Sequence, residues 1–163
     1  MANDNAAPGN IAAREIIITR LLKAPRELVF KVWTEQEHLA QWWGPDGFTT
    51  TVHSMDLRKG GLLKMTMYGM GTNFPNQIKY IEVVKPKRLV YLHGSGAKND
   101  PGEFEVVVTF EEEEGQTRLT MHSLFKTAEA RDFVIREFGA IDRGNETVNH
   151  LEAYLAKMQQ TLA

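Results

Sequence analysis

Between Phe48 and Phe125 the chain runs through six consecutive segments of strand character with no helical stretch among them. They are Phe48 to Leu57, Leu62 to Tyr68, Gln77 to Val84, Arg88 to His93, Glu103 to Glu111 and Thr117 to Phe125. The breaks carry turn chemistry: Lys59-Gly60-Gly61, the Gly69 to Pro75 loop, Lys85-Pro86-Lys87, the Gly94 to Gly102 loop and Glu114-Gly115. Strands in such a series pair antiparallel, because parallel neighbours need a long crossover that these breaks do not supply. The alternation is visible where Leu63, Met65 and Met67 oppose Leu62, Lys64 and Thr66, and where Val106, Val108 and Phe110 oppose Glu105, Val107 and Thr109. One face of this sheet is therefore expected to be dry.

The flanks say what covers that face. Glu15 to Leu22 is dense in β-branched residues and stops at Ala24-Pro25, which predicts a first strand. From Pro25, Leu28, Val29, Val32 and Trp33 recur at helical spacing. Thr34-Glu35-Gln36-Glu37 has the form of a capping box and predicts a second short helix, closed by Gly44-Pro45. After Thr127, a candidate N-cap, the chain reads as one long helix. Its stripe runs through Phe133, Val134, Phe138, Ile141, Val148, Leu151, Leu155 and Met158, with an interruption near Gly144-Asn145. The order predicts an α+β fold in which a curved antiparallel sheet of about seven strands wraps around the long C-terminal helix, with two short helices after the first strand. Met1 to Ala13 has little to bury and is expected to be a flexible tail, leaving 14–163 as the domain.

The 163 residues suffice for one core. A formal charge of −2 gives no basic face for nucleic acid, and the absence of cysteine removes disulfides, thiolate metal sites and cysteine nucleophiles. No membrane span or signal peptide is legible, so a soluble, cytoplasmic protein is expected. The five histidines lack the spacing of a metal site, and no phosphate loop, dinucleotide fingerprint or serine elbow is present. Neither metal nor cofactor is expected. Asp56, Arg58 and Glu82 are read as structural ion-pair formers, and Glu111 to Glu114 as a solvated hairpin tip.

Four segments together resemble a known family: Ala24-Pro25-Arg26-Glu27-Leu28-Val29-Phe30, Trp42-Trp43-Gly44-Pro45, Asp56-Leu57-Arg58-Lys59-Gly60-Gly61 and Gly144-Asn145-Glu146-Thr147-Val148. The sequence resembles the bacterial relatives of the C-terminal domain of the heat-shock-protein-ninety ATPase activator, within the START-like, birch-allergen-like (SRPBCC) superfamily. The resemblance implies a helix-grip fold whose sheet and long helix enclose a cavity for an apolar small molecule. Many relatives have a glycine near Ile78, and the strand is filled here, which implies a reshaped pocket.

Trp42 and Trp43, adjacent on a helix, diverge by about 100°, so only one points squarely inward and the other covers the sheet edge or cavity mouth. Leu63, Met65, Met67, Tyr80, Tyr91, His93, Val106, Val108 and Met121 are assigned to the concave face, and Phe138, Ile141, Gly144 and Val148 to the helix above it. These residues form the candidate ligand-binding set. Gly144 is expected to leave a gap in the stripe, and an empty apolar gap is costly, which favours an occupied cavity.

The leading expectation is a non-enzymatic binding protein for an apolar or aromatic small molecule. A chaperone-ATPase-associated module ranks lower, because the activator's N-terminal domain has no counterpart before Arg14. A cyclase- or aromatase-like acid–base enzyme using Tyr80, Glu82, Tyr91 or His93 is the third reading. A homodimer is the default oligomer.

Overall fold

The structure is a computed structural model, which describes residues 10–162. A 3-10 turn at Ile11–Arg14 leads into β1 (Glu15–Leu22), α1 (Arg26–Thr34) and α2 (Gln36–Trp42). Six strands follow: β2 (Thr49–Met55), β3 (Leu62–Gly69), β4 (Thr72–Val84), β5 (Arg88–Gly94), β6 (Phe104–Glu113) and β7 (Gln116–Phe125). The chain closes with α3 (Ala128–Phe138) and α4 (Ala140–Leu162). All seven strands form one antiparallel sheet in the order β1-β7-β6-β5-β4-β3-β2. This is the α+β architecture expected from the order of elements, and the helix-grip fold that the family resemblance implies. The first nine residues of the anticipated tail lie outside the described residues, and its end is ordered as the 3-10 turn. Among the described residues no helix is long and apolar enough to cross a membrane.

The core is the inward parity of six strands, β2 adding only the half-buried Val52 and Met55 at its margin. Leu22, Leu63, Met65, Ile78, Tyr80, Leu89, Tyr91, Val106, Val108, Phe110 and Leu119 are buried, and they meet Val29, Phe30, Val32 and Trp33 of α1 and Val148, Leu151 and Leu155 of α4. Thr117, the one buried polar residue among the described residues, donates its hydroxyl to the Ala24 carbonyl at 2.7 Å and so ties β7 to the β1–α1 corner. The Asp56 to Gly61 motif is structural: a Cβ on Gly61 would fall 2.0 Å from the Asp56 carbonyl oxygen, so only glycine lets the turn close.

Four sequence expectations are corrected. Thr34 does not cap α2; its hydroxyl donates to the Phe30 carbonyl at 2.6 Å, and Glu35 is the cap residue without a side-chain bond. The chain after Thr127 is not one helix but two, α3 and α4. It breaks at Gly139, whose left-handed φ of 59° ends α3, while Gly144 lies inside α4. The segment from Thr72 is strand, joined to β3 across Met70-Gly71. Pro75 is tolerated there because β4 gains its β5 neighbour only from Gln77 onward, so a missing amide costs no ladder bond on that side. Finally, Glu82 does not share the inward parity of Tyr80. A bulge shifts the register between them, and Glu82 pairs instead with Arg88 at 2.7 Å on the outside.

A candidate ligand cavity between the sheet and the last helices

Trp42 and Trp43 divide the labour as their angular separation requires. Trp42 is 2% exposed and donates its indole N–H to the Val32 carbonyl at 3.0 Å, with its ring against Trp33 at 4.9 Å. Trp43 ends α2 and turns toward the sheet, its ring 6.0 Å from His93. Beyond it, Gly44 and Pro45 form one wall of a cavity of about 430 Å³. Ile16, Phe104, Met121 and Ser123 lie on its sheet side, Phe48, Met70 and Phe74 on its rim, and Ala140, Arg143, Gly144 and Thr147 on its helical side.

Of the residues assigned from sequence, Trp43, Met67, Tyr91, His93, Val106, Met121, Phe138 and Gly144 line this cavity. Trp42, Leu63, Met65, Tyr80, Val108 and Val148 do not; they are buried in the core beside it. Ile141 is 39% exposed and also lies outside the lining. The reason is geometric. Strand parity decides which face a residue joins, but position along the strand decides what covers it. Position across the sheet matters as well: Val108 lies opposite Met121 and Ile78 opposite His93, yet Val108 and Ile78 are buried in the core while Met121 and His93 line the cavity.

Sequence reasoning missed Asn76, because Pro75 made its segment read as a loop. Asn76 gives the cavity its polar centre. Its Nδ2 donates to the Phe74 carbonyl at 3.0 Å, which directs Oδ1 to His93 Nε2 at 2.6 Å. That fixes Nε2 as the protonated nitrogen and leaves Nδ1 as an acceptor. His93 is boxed by aromatic rings, with Phe104 at 5.0 Å, Trp43 at 6.0 Å and Tyr91 at 6.4 Å. Burial pushes its pKa down to about 4, against a smaller opposing pull from Asp100, so the imidazole is neutral at physiological pH. Burial also raises the Tyr80 and Tyr91 phenols above their ordinary value, so both are neutral donors.

The remaining histidines bind neighbours. His38 Nδ1 meets the Tyr154 hydroxyl at 2.7 Å, His53 meets Thr66, His122 meets Glu15, and His150 bridges the Gly44 carbonyl and Asp46. Asp56 pairs with Arg58 at 2.9 Å, and Glu113 at the β6–β7 tip pairs with Arg118 at 2.9 Å. Among the described residues, Glu35, Glu37 and His38 do approach closely enough to offer three ligand atoms, a grouping that histidine spacing alone does not reveal. Its two carboxylates are exposed and His38 Nδ1 is already engaged. Added zinc, nickel or calcium is therefore expected to leave the thermal midpoint unchanged in a melting experiment; a stoichiometric rise of several degrees would show a built metal site.

Comparison with known proteins agrees with the fold. A protein of Nitrosomonas europaea superposes with a TM-score of 0.80 at 25% identity, over 90% of this chain and 97% of that one. A protein of Staphylococcus epidermidis gives a TM-score of 0.77 at 28% identity, over 89% and 91%. An AHSA1-like protein of Aeromonas hydrophila gives 0.68 at 21%, over 85% and 92%, a likeness of fold. No curated protein matches the sequence. Residues 23–162, from the β1–α1 corner to the end of α4, match the family described as Activator of Hsp90 ATPase homolog 1-like protein, and the chain belongs to that family.

Proposed function

We propose that this protein binds an apolar small molecule with aromatic or extended aliphatic character in the cavity between the sheet and α4. The observation that carries the reading is the lining. A space of about 430 Å³ is bounded almost wholly by aromatic, aliphatic and thioether groups, with polar groups at only a few points, and unfilled apolar space of that size is destabilising if left empty. Met67, Met70 and Met121 give its wall an adaptable surface.

The test uses the neutral fluorophore N-phenyl-1-naphthylamine. Gly144→Leu adds apolar volume from the helix side: a Cβ there would already lie 2.6 Å from Ile18 Cδ1, so that flexible methyl must swing aside. Ser123→Leu adds volume from the sheet side. Each is expected to weaken the probe at least tenfold, about 1.4 kcal/mol, while Ile17→Ser, on the exposed outer face, leaves affinity unchanged. Gly144→Leu should hold its stability, because removing a mid-helix glycine gains up to about 1 kcal/mol against the adjustment of Ile18. Folded variants with undiminished probe affinity would reject the cavity as the site.

A second reading, contact with a chaperone ATPase, rests on the family description. It predicts that the purified protein stimulates ATP turnover by an Hsp90, and unchanged turnover would reject it.

A further inference from the structure

Arg143 is the one charged side chain that the cavity lining brings in without a partner of opposite charge. It stands in the first turn of α4, with its guanidinium carbon 5.4 Å from the centre of the Phe48 ring and Nη2 3.8 Å from Met70 Sδ. The lining contains no aspartate and no glutamate. Glu146, one turn further along α4, is the carboxylate best placed to pair with Arg143, but its Oε1 accepts the Asp46 amide at 3.0 Å. Asp46 in turn bonds His150 Nε2 at 2.7 Å. Arg143 thus makes no ion pair among the described residues. An arginine held on an aromatic face at the edge of an apolar space keeps its fork of donors free, and that fork matches a carboxylate or similar anion. The other basic group of the lining, the His93 imidazole, is neutral and already bonded to Asn76.

We infer that the ligand is an anion-headed amphiphile, an organic acid whose apolar body fills the cavity and whose carboxylate pairs with Arg143 at the rim. This deepens the small-molecule reading above and rests on it. The rim position matters to the energetics. Met70 is 65% exposed, so the charged head stays near water while the body is buried, which avoids the large cost of taking an unpaired anion into the interior.

The experiment is displacement of N-phenyl-1-naphthylamine by three compounds of equal chain length, dodecanoate, dodecanol and dodecylamine, each below its aggregation threshold and at slightly alkaline pH. On the unmodified protein dodecanoate is expected to displace the probe at least tenfold better than dodecanol, and dodecylamine to be the weakest. Raising the salt concentration should narrow the gap between acid and amine. Arg143→Met keeps a long apolar stem in place and should bring the acid-to-alcohol ratio to about one, each displacement being normalised to the neutral probe's own affinity for that variant. Arg143→Gln provides a second uncharged variant with the same expected outcome. Equal displacement by acid and alcohol on the unmodified protein, or an acid preference that survives both substitutions, overturns the inference and leaves the cavity intact as a neutral site. Failure of the neutral fluorophore to bind the unmodified protein rejects the cavity reading itself.

Discussion

Replacing Trp42 by Ala is expected to lower the unfolding free energy by about 3 to 5 kcal/mol, the range for deleting a large aromatic side chain from a packed core. Trp42 is 2% exposed, and its ring meets those of Trp33 and Trp43 at 4.9 and 5.6 Å. The change therefore leaves a cavity at the centre of an aromatic cluster. It also removes the indole donor from the Val32 carbonyl, a buried 3.0 Å bond. Trp42→Phe keeps part of the ring and should cost distinctly less. Urea denaturation of the variants measures this, and a Trp42→Ala protein within 1 kcal/mol of the unmodified one would mean that the cluster is not the packing centre described. Because Trp43 leans on Trp42 and walls the cavity, Trp42→Ala should also loosen binding of the neutral fluorophore, although Trp42 does not line the site.

The second large effect is a dependence of stability on pH that passes through His93. Its folded pKa is depressed to about 4 from the ordinary value of 6.5, chiefly by burial. Between those values the unfolded chain binds a proton that the folded chain does not, so stability rises with pH across this window. The contribution is fully present above pH 6.5 and is lost as pH falls toward 4. A shift of this size corresponds to roughly 2 to 3 kcal/mol, at 1.36 kcal/mol per unit and with allowance for water entering the cavity. Carboxylates also titrate in this range, so the measurement is the difference between proteins: His93→Phe, unfolded in urea at several pH values from 7 to 4, should show a shallower loss by that amount. Parallel curves for the two proteins would place a charged imidazole in the folded state and contradict the neutral aromatic box.

The fold was legible in the sequence because its signals are local. Period-two alternation marked the inward residues of β3 and β6, the glycine and proline breaks separated the strands, and Thr127 announced α3 by accepting the Ala130 amide at 3.0 Å. Parity placed Met67, Tyr91, His93, Val106 and Met121 on the correct face, and the angle between adjacent helical residues separated Trp42 from Trp43. These are consequences of backbone geometry, which any sequence obeys whatever it packs against.

What the sequence did not contain is the identity of the covering layer at each point of that face. Leu63 and Met67 have the same parity on the same strand, yet Leu63 is core and Met67 is cavity wall. Glu82 left the inner face through a bulge, and Asn76 reached the cavity through a strand that continues past Pro75 only because no fifth-strand neighbour demands an amide there. Arg143 was one charge among many until α4 placed it over Phe48 and the Asp46 amide engaged Glu146. Sequence alone determined the elements, their order and the face each side chain joins, since φ, ψ and side-chain period are properties of neighbouring residues. Only the tertiary structure decided where that face is filled and where it is open, because a cavity is a relation among segments far apart in the chain.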